Sequence, residues 1–506
     1  MNSSQRIVVN TIAQYTRTII NVGLSLYSTR LILAALGQTD FGIYSVVAGV
    51  VTMLSFMTNA LVTTTQRYLS FYHGKGDMSL VSRIFGNSLL LHVLIGTGVF
   101  VILGAIAYPI IYGLLQIDDG RECAAMFVYM SATIMLMLTF ITAPFRALFI
   151  ARENIVYISI IDVLDGVLKL LIAVFLAYVI SYDKLITYSI LLIGISLFNL
   201  MAFAVYAMRH FEECHLPSWR EYDLSFIKEL SGFAGWTVYS SGCVIARNQG
   251  IAVLINLFCG AIGNAAYGIA QQVSGAVAFI SASIINAINP QIMRAEGQGD
   301  RERMIRLAEY ESKYAFLLLS MISIPLIFEM ETILRLWLTE VPVYTVEFCQ
   351  LMLLAAIFDQ LTIGLTSANQ AIGKIKVYTL WFYSSKLLTL IGIWICLEAG
   401  IPVTTSLWCY VGMELLGSFL RLVLMQYQAN INILLFVKNV CYKVIVPFIT
   451  MCGISYWCTQ YFETPYRLII TLLLSMIGGS VAIWFTSLQM NEKQSMYEIV
   501  RRIKHN

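Results

Sequence analysis

The sequence predicts an all-α integral membrane protein of fourteen transmembrane helices, built as two parallel six-helix repeats followed by two extra C-terminal helices. Three observations predict this. The 506 residues are 58% hydrophobic and only 12% charged, whereas soluble domains carry about twice that share of charge. Apolar runs long enough to cross a bilayer recur along the whole chain. Basic residues alternate between connections in the rhythm that a repeatedly crossing chain requires.

The first run, near residues 10–34, sets the pattern. On a helix wheel it places Asn10, Gln14, Arg17, Asn21 and Ser28 within an arc of about 60°. An arginine at mid-membrane is costly unless it meets water, a counter-charge or an anionic ligand. With four other polar members in the stripe, a pathway-lining helix is expected rather than one arginine snorkelling to the headgroups. No cleavable signal is evident, so this span is expected to be an uncleaved anchor.

Further spans follow near 41–65, 84–116, 123–145, 155–181, 185–208, 233–257, 263–290, 314–334, 343–371, 377–397, 404–426, 440–460 and 466–488. The N-terminus, the C-terminal tail and the even-numbered connections hold 22 basic residues, Arg146 among them, and the odd connections hold 4. That ratio places both termini in the cytoplasm. The division expected is an N-lobe over 1–208, a cytoplasmic linker over 209–232, a C-lobe over 233–430, and two spans with a tail over 431–506. In the linker, Leu224, Ile227 and Leu230 share a face and predict a short interfacial helix.

An internal repeat supports the two lobes. Gly37-Gln38-Thr39-Asp40-Phe41-Gly42-Ile43 matches Gly263-Asn264-Ala265-Ala266-Tyr267-Gly268-Ile269; Gly74–Asp77 matches Gly297–Asp300; Ala151–Ile155 echoes Ala371–Ile375. The offsets are 226, 223 and 220, nearly constant and in order. Six spans per half is an even number, so the halves share an orientation and relate by an axis along the membrane normal.

Six basic residues fall inside spans (Arg17, Arg30, Lys169, Arg247, Lys386 and Arg421), against the acids Asp162, Asp165, Asp359 and Glu414, an excess of +2. Arg421 lies two turns from Glu414 and is a candidate partner for it. Polar stripes recur on the second span (Thr52, Ser55, Asn59, Thr63, Gln66) and on the eighth (Gln272, Gly275, Asn286, Asn289), and Trp236, Ser240 and Arg247 align on the seventh. Such stripes serve helix packing as readily as a pathway. Asp162, Asp165 and Lys169 share one helix face, as a functional cluster or as a structural ion pair at i,i+4. The ten cysteines include no CxxC pair and read as small membrane hydrophobes, and His92 reads as a packed histidine. No metal site and no nucleic-acid partner is expected.

The first span leading into Leu36–Tyr44, the segment Thr64-Thr65-Gln66-Arg67-Tyr68, the Gly74–Asp77 turn, the Ala151–Asn154 segment and their second-half copies resemble the polysaccharide exporters of the multidrug/oligosaccharidyl-lipid/polysaccharide transporter superfamily. In particular they resemble the bacterial lipid-linked O-antigen flippase group within it, over about residues 5–430. The resemblance implies two lobes in a V around a cationic cavity that opens alternately to each side. It implies as substrate an oligosaccharide on a polyprenyl pyrophosphate, moved between leaflets of a bacterial inner membrane for surface polysaccharide or lipopolysaccharide synthesis, beside other proteins of that synthesis.

Arginine forks suit a pyrophosphate better than lysine point charges, and Arg17 and Arg247, one from each lobe, are the candidates expected to meet in one wet chamber. Asn21, Asn59, Gln272 and Asn286 are candidates for sugar hydroxyls, and Trp236 for a sugar face. Asp162, Asp165, Lys169 and Asp359 are candidates for coupling to sodium or protons; no cofactor is expected. Neither Gly74-Lys75 nor Gly373-Lys374 continues into Ser or Thr as a phosphate-binding loop requires. The short outer connections argue against a glycosyltransferase or ligase, so no enzyme activity is expected. The remaining alternative is a MATE-type cation-coupled exporter of drugs or other small molecules, for which an acidic rather than a cationic cavity is expected.

Overall fold

The computed structural model describes residues 3–52, 54–114, 117, 120–178, 183–214, 222–338, 341–462, 466–488 and 492–493. Among them the regular structure is entirely helical. A bilayer demands this, because a helix satisfies its backbone polar groups within one segment. Among the described residues, ten helices are long and apolar enough to cross a membrane, or twelve if two bent pairs each form one span. The protein is therefore multi-pass. The count falls short of fourteen at two places. The helix Ile155–Tyr178 holds Asp162, Asp165 and Lys169, more charge than a lipid-spanning segment usually admits. The second expected span is divided between the end of one helix at Thr52 and the start of another at Ser55.

The chain forms two compact units, Val8–Ser241, and Gly242–Asn506 with Met1–Ile7. In the first unit α1 (Ser3–Thr52) is interrupted at Gly37, whose φ of 80° and ψ of 172° suit only glycine. α2 (Ser55–Lys75) ends on Gly76 in the left-handed conformation. The Asp77 side chain then accepts from the Leu80 amide and starts α3 (Met78–Pro109). α4 (Glu122–Ala151) is the most enclosed helix of this unit, with Tyr129, Phe140 and Phe149 fully buried. α5 (Ile155–Tyr178) and α6 (Lys184–His210) complete the set, and Asp183 caps α6 by accepting from the amides of Leu185 and Ile186.

The unit boundary falls inside α7 (Leu224–Gly297), which is interrupted at Gly260, φ 67° and ψ −163°. Leu224, Ile227 and Leu230, read from sequence as a separate interfacial helix, form the first turns of α7 and continue into it; Trp219 and Arg220 of that linker lie outside the described residues. The second unit continues with α8 (Arg301–Phe328), α9 (Met330–Trp337), α10 (Thr345–Gln360) and α11 (Ile363–Ile372). α10 and α11 form one of the bent pairs, at an angle of 45°. Next come α12 (Ile375–Tyr378), running through a π-helical turn into α13 (Ser384–Glu398), then α14 (Val403–Ser406) and α15 (Trp408–Ala429). α16 (Ile433–Phe436), α17 (Tyr442–Tyr461) and α18 (Arg467–Ala482) close the chain.

The two units share their interruptions. Left-handed residues stand at Gly37 and Gly260, Gly76 and Gly299, Gly120 and Tyr344, and Glu153 and Gly373. Asp300 caps α8 through the Arg303 amide as Asp77 caps α3 through Leu80. The backbone thus repeats as the sequence does, with one adjustment: the glycine that breaks α7 is Gly260, three residues before the Gly263 that aligns with Gly37 by sequence.

Candidate functional site

In the first unit the polar stripe of α1 lies along the start of α5 and the turn before it. Asn10 donates Nδ2 to the Glu153 carbonyl at 3.0 Å. Arg17 donates Nη1 to Asp162 Oδ2 at 2.6 Å. A Cβ on Gly166 would sit 2.9 Å from Asn21 Oδ1. Asn10, Gln14 and Ser28 are buried, so both ends of the stripe pack helices, and its middle borders a cavity. That cavity, of about 490 Å³, is lined by Arg17, Thr18, Asn21, Val22, Ser25, Arg146 and Asp162.

Arg146 is the member that sequence reasoning did not count with the site. Counted among the basic residues of a cytoplasmic connection, it lies within α4 and grips Asp162 with both terminal nitrogens, at 2.9 and 3.0 Å. Two guanidinium groups therefore share one carboxylate, leaving a net charge of +1. Arg17 uses one donor on Asp162; its Nε and Nη2 make no hydrogen bond among the described residues. The Asn21 Oδ1 is buried without a partner. An open cavity with spare guanidinium donors fits an anion.

Asp165 lies apart from this cavity's lining. It pairs with Lys169 at 2.7 Å and accepts from Asn199 Nδ2 at 2.7 Å. The i,i+4 ion pair is thus formed, while Asp162, on the same face, is taken by arginines from two other helices. Asn59 is exposed on α2. Trp236 is half-buried and meets Tyr239 edge-on at 5.9 Å. The Thr52 side chain lies outside the described residues. His92 is packed, with Nδ1 2.7 Å from the Ser88 carbonyl oxygen.

In the second unit the charges form a chain. Arg247 donates Nη1 to Glu414, Nη2 to the Tyr410 hydroxyl at 2.8 Å, and Nε to Asn248 at 3.2 Å. Lys386 joins Glu414, at 2.6 Å, to Asp359, at 3.3 Å. Arg421 meets Asp359 Oδ1 at 2.9 Å and the Asp359 carbonyl at 2.7 Å. Glu414 is thus partnered by Arg247 and Lys386, whereas Arg421 reaches across to α10. The Arg421 fork satisfies a carbonyl at the bend between α10 and α11, where helical bonding lapses, and also reaches Thr362 Oγ1 at 3.3 Å.

Three cations and two anions again leave +1, but here the arginines and Glu414 are buried and every nitrogen of Arg247 is engaged. In this conformation Arg247 holds a network together, and to bind phosphate it would have to leave Glu414. Gln272 and Asn286 are exposed on α7.

Both units place these two ion networks on the first, fourth and fifth segments of the repeat, and the second adds the sixth. α1, α4 and α5 carry Arg17, Arg146 and Asp162; α7, α10, α13 and α15 carry Arg247, Asp359, Lys386, Glu414 and Arg421.

Comparison with known proteins agrees on architecture. No protein-family profile matches the chain, and no curated protein matches it by sequence. Solved structures do. A MATE transporter crystallised as a point mutant superposes with a TM-score of 0.73 at 12% identity, over 87% of this chain and 98% of that one. An outward-facing multidrug-resistance MATE family transporter of the MOP superfamily gives 0.67 at 12% identity, over 87% and 98%. A MOP superfamily transporter from Pyrococcus furiosus, described as having a binding pocket of reverse polarity that suggests a different function, gives 0.68 at 12% identity, over 84% and 96%. The chain has the fold of the MATE-type transporters of the MOP superfamily. At this identity the likeness establishes architecture and leaves the substrate open.

Proposed function

We propose that this protein is an alternating-access flippase that carries a polyprenyl-pyrophosphate-linked oligosaccharide from the cytoplasmic to the outer leaflet of a bacterial inner membrane, for surface polysaccharide synthesis. The observation that carries the reading is the cavity lined by Arg17 and Arg146. Its two guanidinium groups share the one carboxylate of Asp162, so donors remain for an anion. Asn21, Thr18 and Ser25 beside them offer the neutral polar contacts a sugar needs. A transporter fold whose helices are joined by short connections in the sequence suits a substrate whose lipid tail stays in the bilayer. The excess of basic residues in the even connections supports a cytoplasmic location for both termini.

The second reading, a MATE-type exporter of cationic compounds, rests on the fold. The cavity's positive balance speaks against it, and a neighbour of this fold is described as having a binding pocket of reverse polarity that suggests a different function. Flipping of a defined fluorescent lipid-linked oligosaccharide in proteoliposomes tests the choice. Arg17→Ala and Arg146→Ala are each expected to lower the rate roughly tenfold or more, in line with about 1.5–3 kcal/mol for a hydrogen bond to a charged group. Cells depleted of the protein are expected to hold the lipid-linked glycan on the cytoplasmic leaflet. Full flipping by both variants, together with gradient-dependent efflux of a cationic dye, would overturn the flippase reading.

A further inference from the structure

We propose that Glu311 is a proton-binding site that couples transport to a proton gradient, an inference that rests on the transport function proposed above. Glu311 lies in α8 and is completely buried. Its Oε1 accepts one hydrogen bond, from Ser367 Oγ at 2.7 Å, and its Oε2 has no partner. The carboxylates expected from sequence to bind a coupling ion are all answered by cations: Asp162 by Arg17 and Arg146, Asp165 by Lys169, and Asp359 by Lys386 and Arg421. Glu311 has no such partner. An ionised carboxylate in a dry contact without a cation is far more expensive than the neutral acid. The conformation described here therefore holds Glu311 protonated.

The surrounding charges do not reach it. On α8 itself, Lys313 pairs with Glu492 at 2.6 Å, and Glu309 accepts from Asn439 at 3.0 Å with Arg306 and Lys443 nearby. α11, which carries Ser367, has no titratable side chain. On α10, Glu347 is exposed and Asp359 belongs to the Arg421 and Lys386 network. On α18, Arg467 pairs with Glu329 at 2.9 Å. Arg301 of α8 pairs with Glu296 and Arg335 of α9 with Glu331; the other charged groups on packed elements are Glu302 and Arg303 at the start of α8, Lys443 of α17 and Lys438 of the π-helical turn before it.

The contact that Glu311 occupies is tight and joins a bent span. The Gly364 amide donates to Ser312 Oγ at 3.0 Å, and a Cβ on Gly364 would lie 2.0 Å from the Ala308 carbonyl oxygen. α8 and α11 thus approach backbone to backbone, with the acid between them. Two residues before Gly364 is the bend that Arg421 supports. Loss of the proton places one uncompensated negative charge in this seam, which it relieves by admitting water and loosening α11. Return of the proton, from the other side of the membrane after reorientation, closes it. A single carboxylate and one hydroxyl supply too few oxygens for a sodium ion, so the ligand is the proton itself.

The test is hydrogen–deuterium exchange of the peptide covering residues 363–372 in the full-length protein in nanodiscs, from pH 6 to pH 10, normalised to intrinsic exchange. Wild type is expected to lose protection about tenfold or more as pH rises, and Glu311→Gln to stay protected throughout. Ser367→Ala, which keeps the carboxyl and removes its donor, is expected to move the midpoint to higher pH. A wild-type profile independent of pH, or an unchanged profile in Glu311→Gln, would overturn the proposal. If Glu311→Gln does not yield folded protein, an unchanged midpoint in Ser367→Ala would overturn it instead. The exchange experiment needs no substrate, so a Glu311-dependent transition alongside absent glycolipid flipping would sink the flippase reading and spare the proton site. Imposing a pH gradient across the proteoliposomes should then accelerate wild-type transport and leave Glu311→Gln unaffected; acceleration of the variant would overturn the coupling role.

Discussion

Asp162 gathers the first unit's charges because a carboxylate in a membrane span must find a cation, and it finds two. Arg17 was legible in sequence because it interrupts an apolar run. Arg146 was not, because it stands at the edge of such a run, where counting by side assigns it to a connection. The signal that could have exposed it was the unmet cost of Asp162. In the second unit Glu414 was set beside Arg421 by sequence spacing, yet the fold gives it Arg247 and Lys386. Removing one anion from a buried network strands its cations. Glu414→Gln is therefore expected to destabilise the protein by about 3–5 kcal/mol. Thermal unfolding in detergent measures this, and a midpoint within a degree of wild type would contradict it. Arg421→Lys should lose stability too, because an ammonium cannot serve Asp359's side chain, its carbonyl and Thr362 together.

At the scale of elements, hydropathy located nearly every helix, whereas polar stripes differed in what they marked: Asn10, Gln14 and Ser28 on α1 are buried, while Asn59 on α2 and Gln272 and Asn286 on α7 are exposed. The stripe on α1 did not announce that its ends pack while its middle lines a cavity; that division depends on where Gly166 lets α5 approach Asn21. The seam of α8 and α11 has a similar dependence. Gly364→Ala places a methyl against the Ala308 carbonyl, and because backbone cannot yield as a side chain does, a loss of about 3 kcal/mol or more is expected, read as a lowered unfolding midpoint.

The N-terminus of α6 carries a pH dependence. Burial pushes the Asp183 carboxyl up, but Arg121 and the amides of Ile186 and Leu185 outweigh it and hold the group below its ordinary range. A depressed carboxylate contributes stability above its unfolded value, about 3.9, and loses it as pH falls through the folded one. Amide exchange in the first turn of α6 should therefore rise selectively in acid, below about pH 4, and Asp183→Asn should abolish the difference.

Over the whole molecule, composition, alternating charge and the internal repeat led to an all-helical multi-pass chain built from two repeats, and superposition on solved structures added the likeness to MATE-type architecture. Short sequence matches located the repeat to within a few residues, and only backbone dihedrals aligned Gly37 with Gly260. Cargo was less legible, because a cationic cavity names a charge and not a molecule. Orientation makes a direct prediction. Cys123, exposed at the start of α4, should react with a membrane-impermeant maleimide in spheroplasts. A single cysteine introduced at Lys75 in a background lacking the native ones should react only after permeabilisation. The reverse result would turn the chain over.

The paired interruptions at Gly37 and Gly260 carry one more consequence. An added Cβ at either position would meet nothing within 4 Å. The requirement there is consequently one of handedness rather than of room. A semisynthetic protein with D-alanine at these two sites should fold and work like the natural one, while its mirror-related L-alanine counterpart, identical in bulk and polarity, should not.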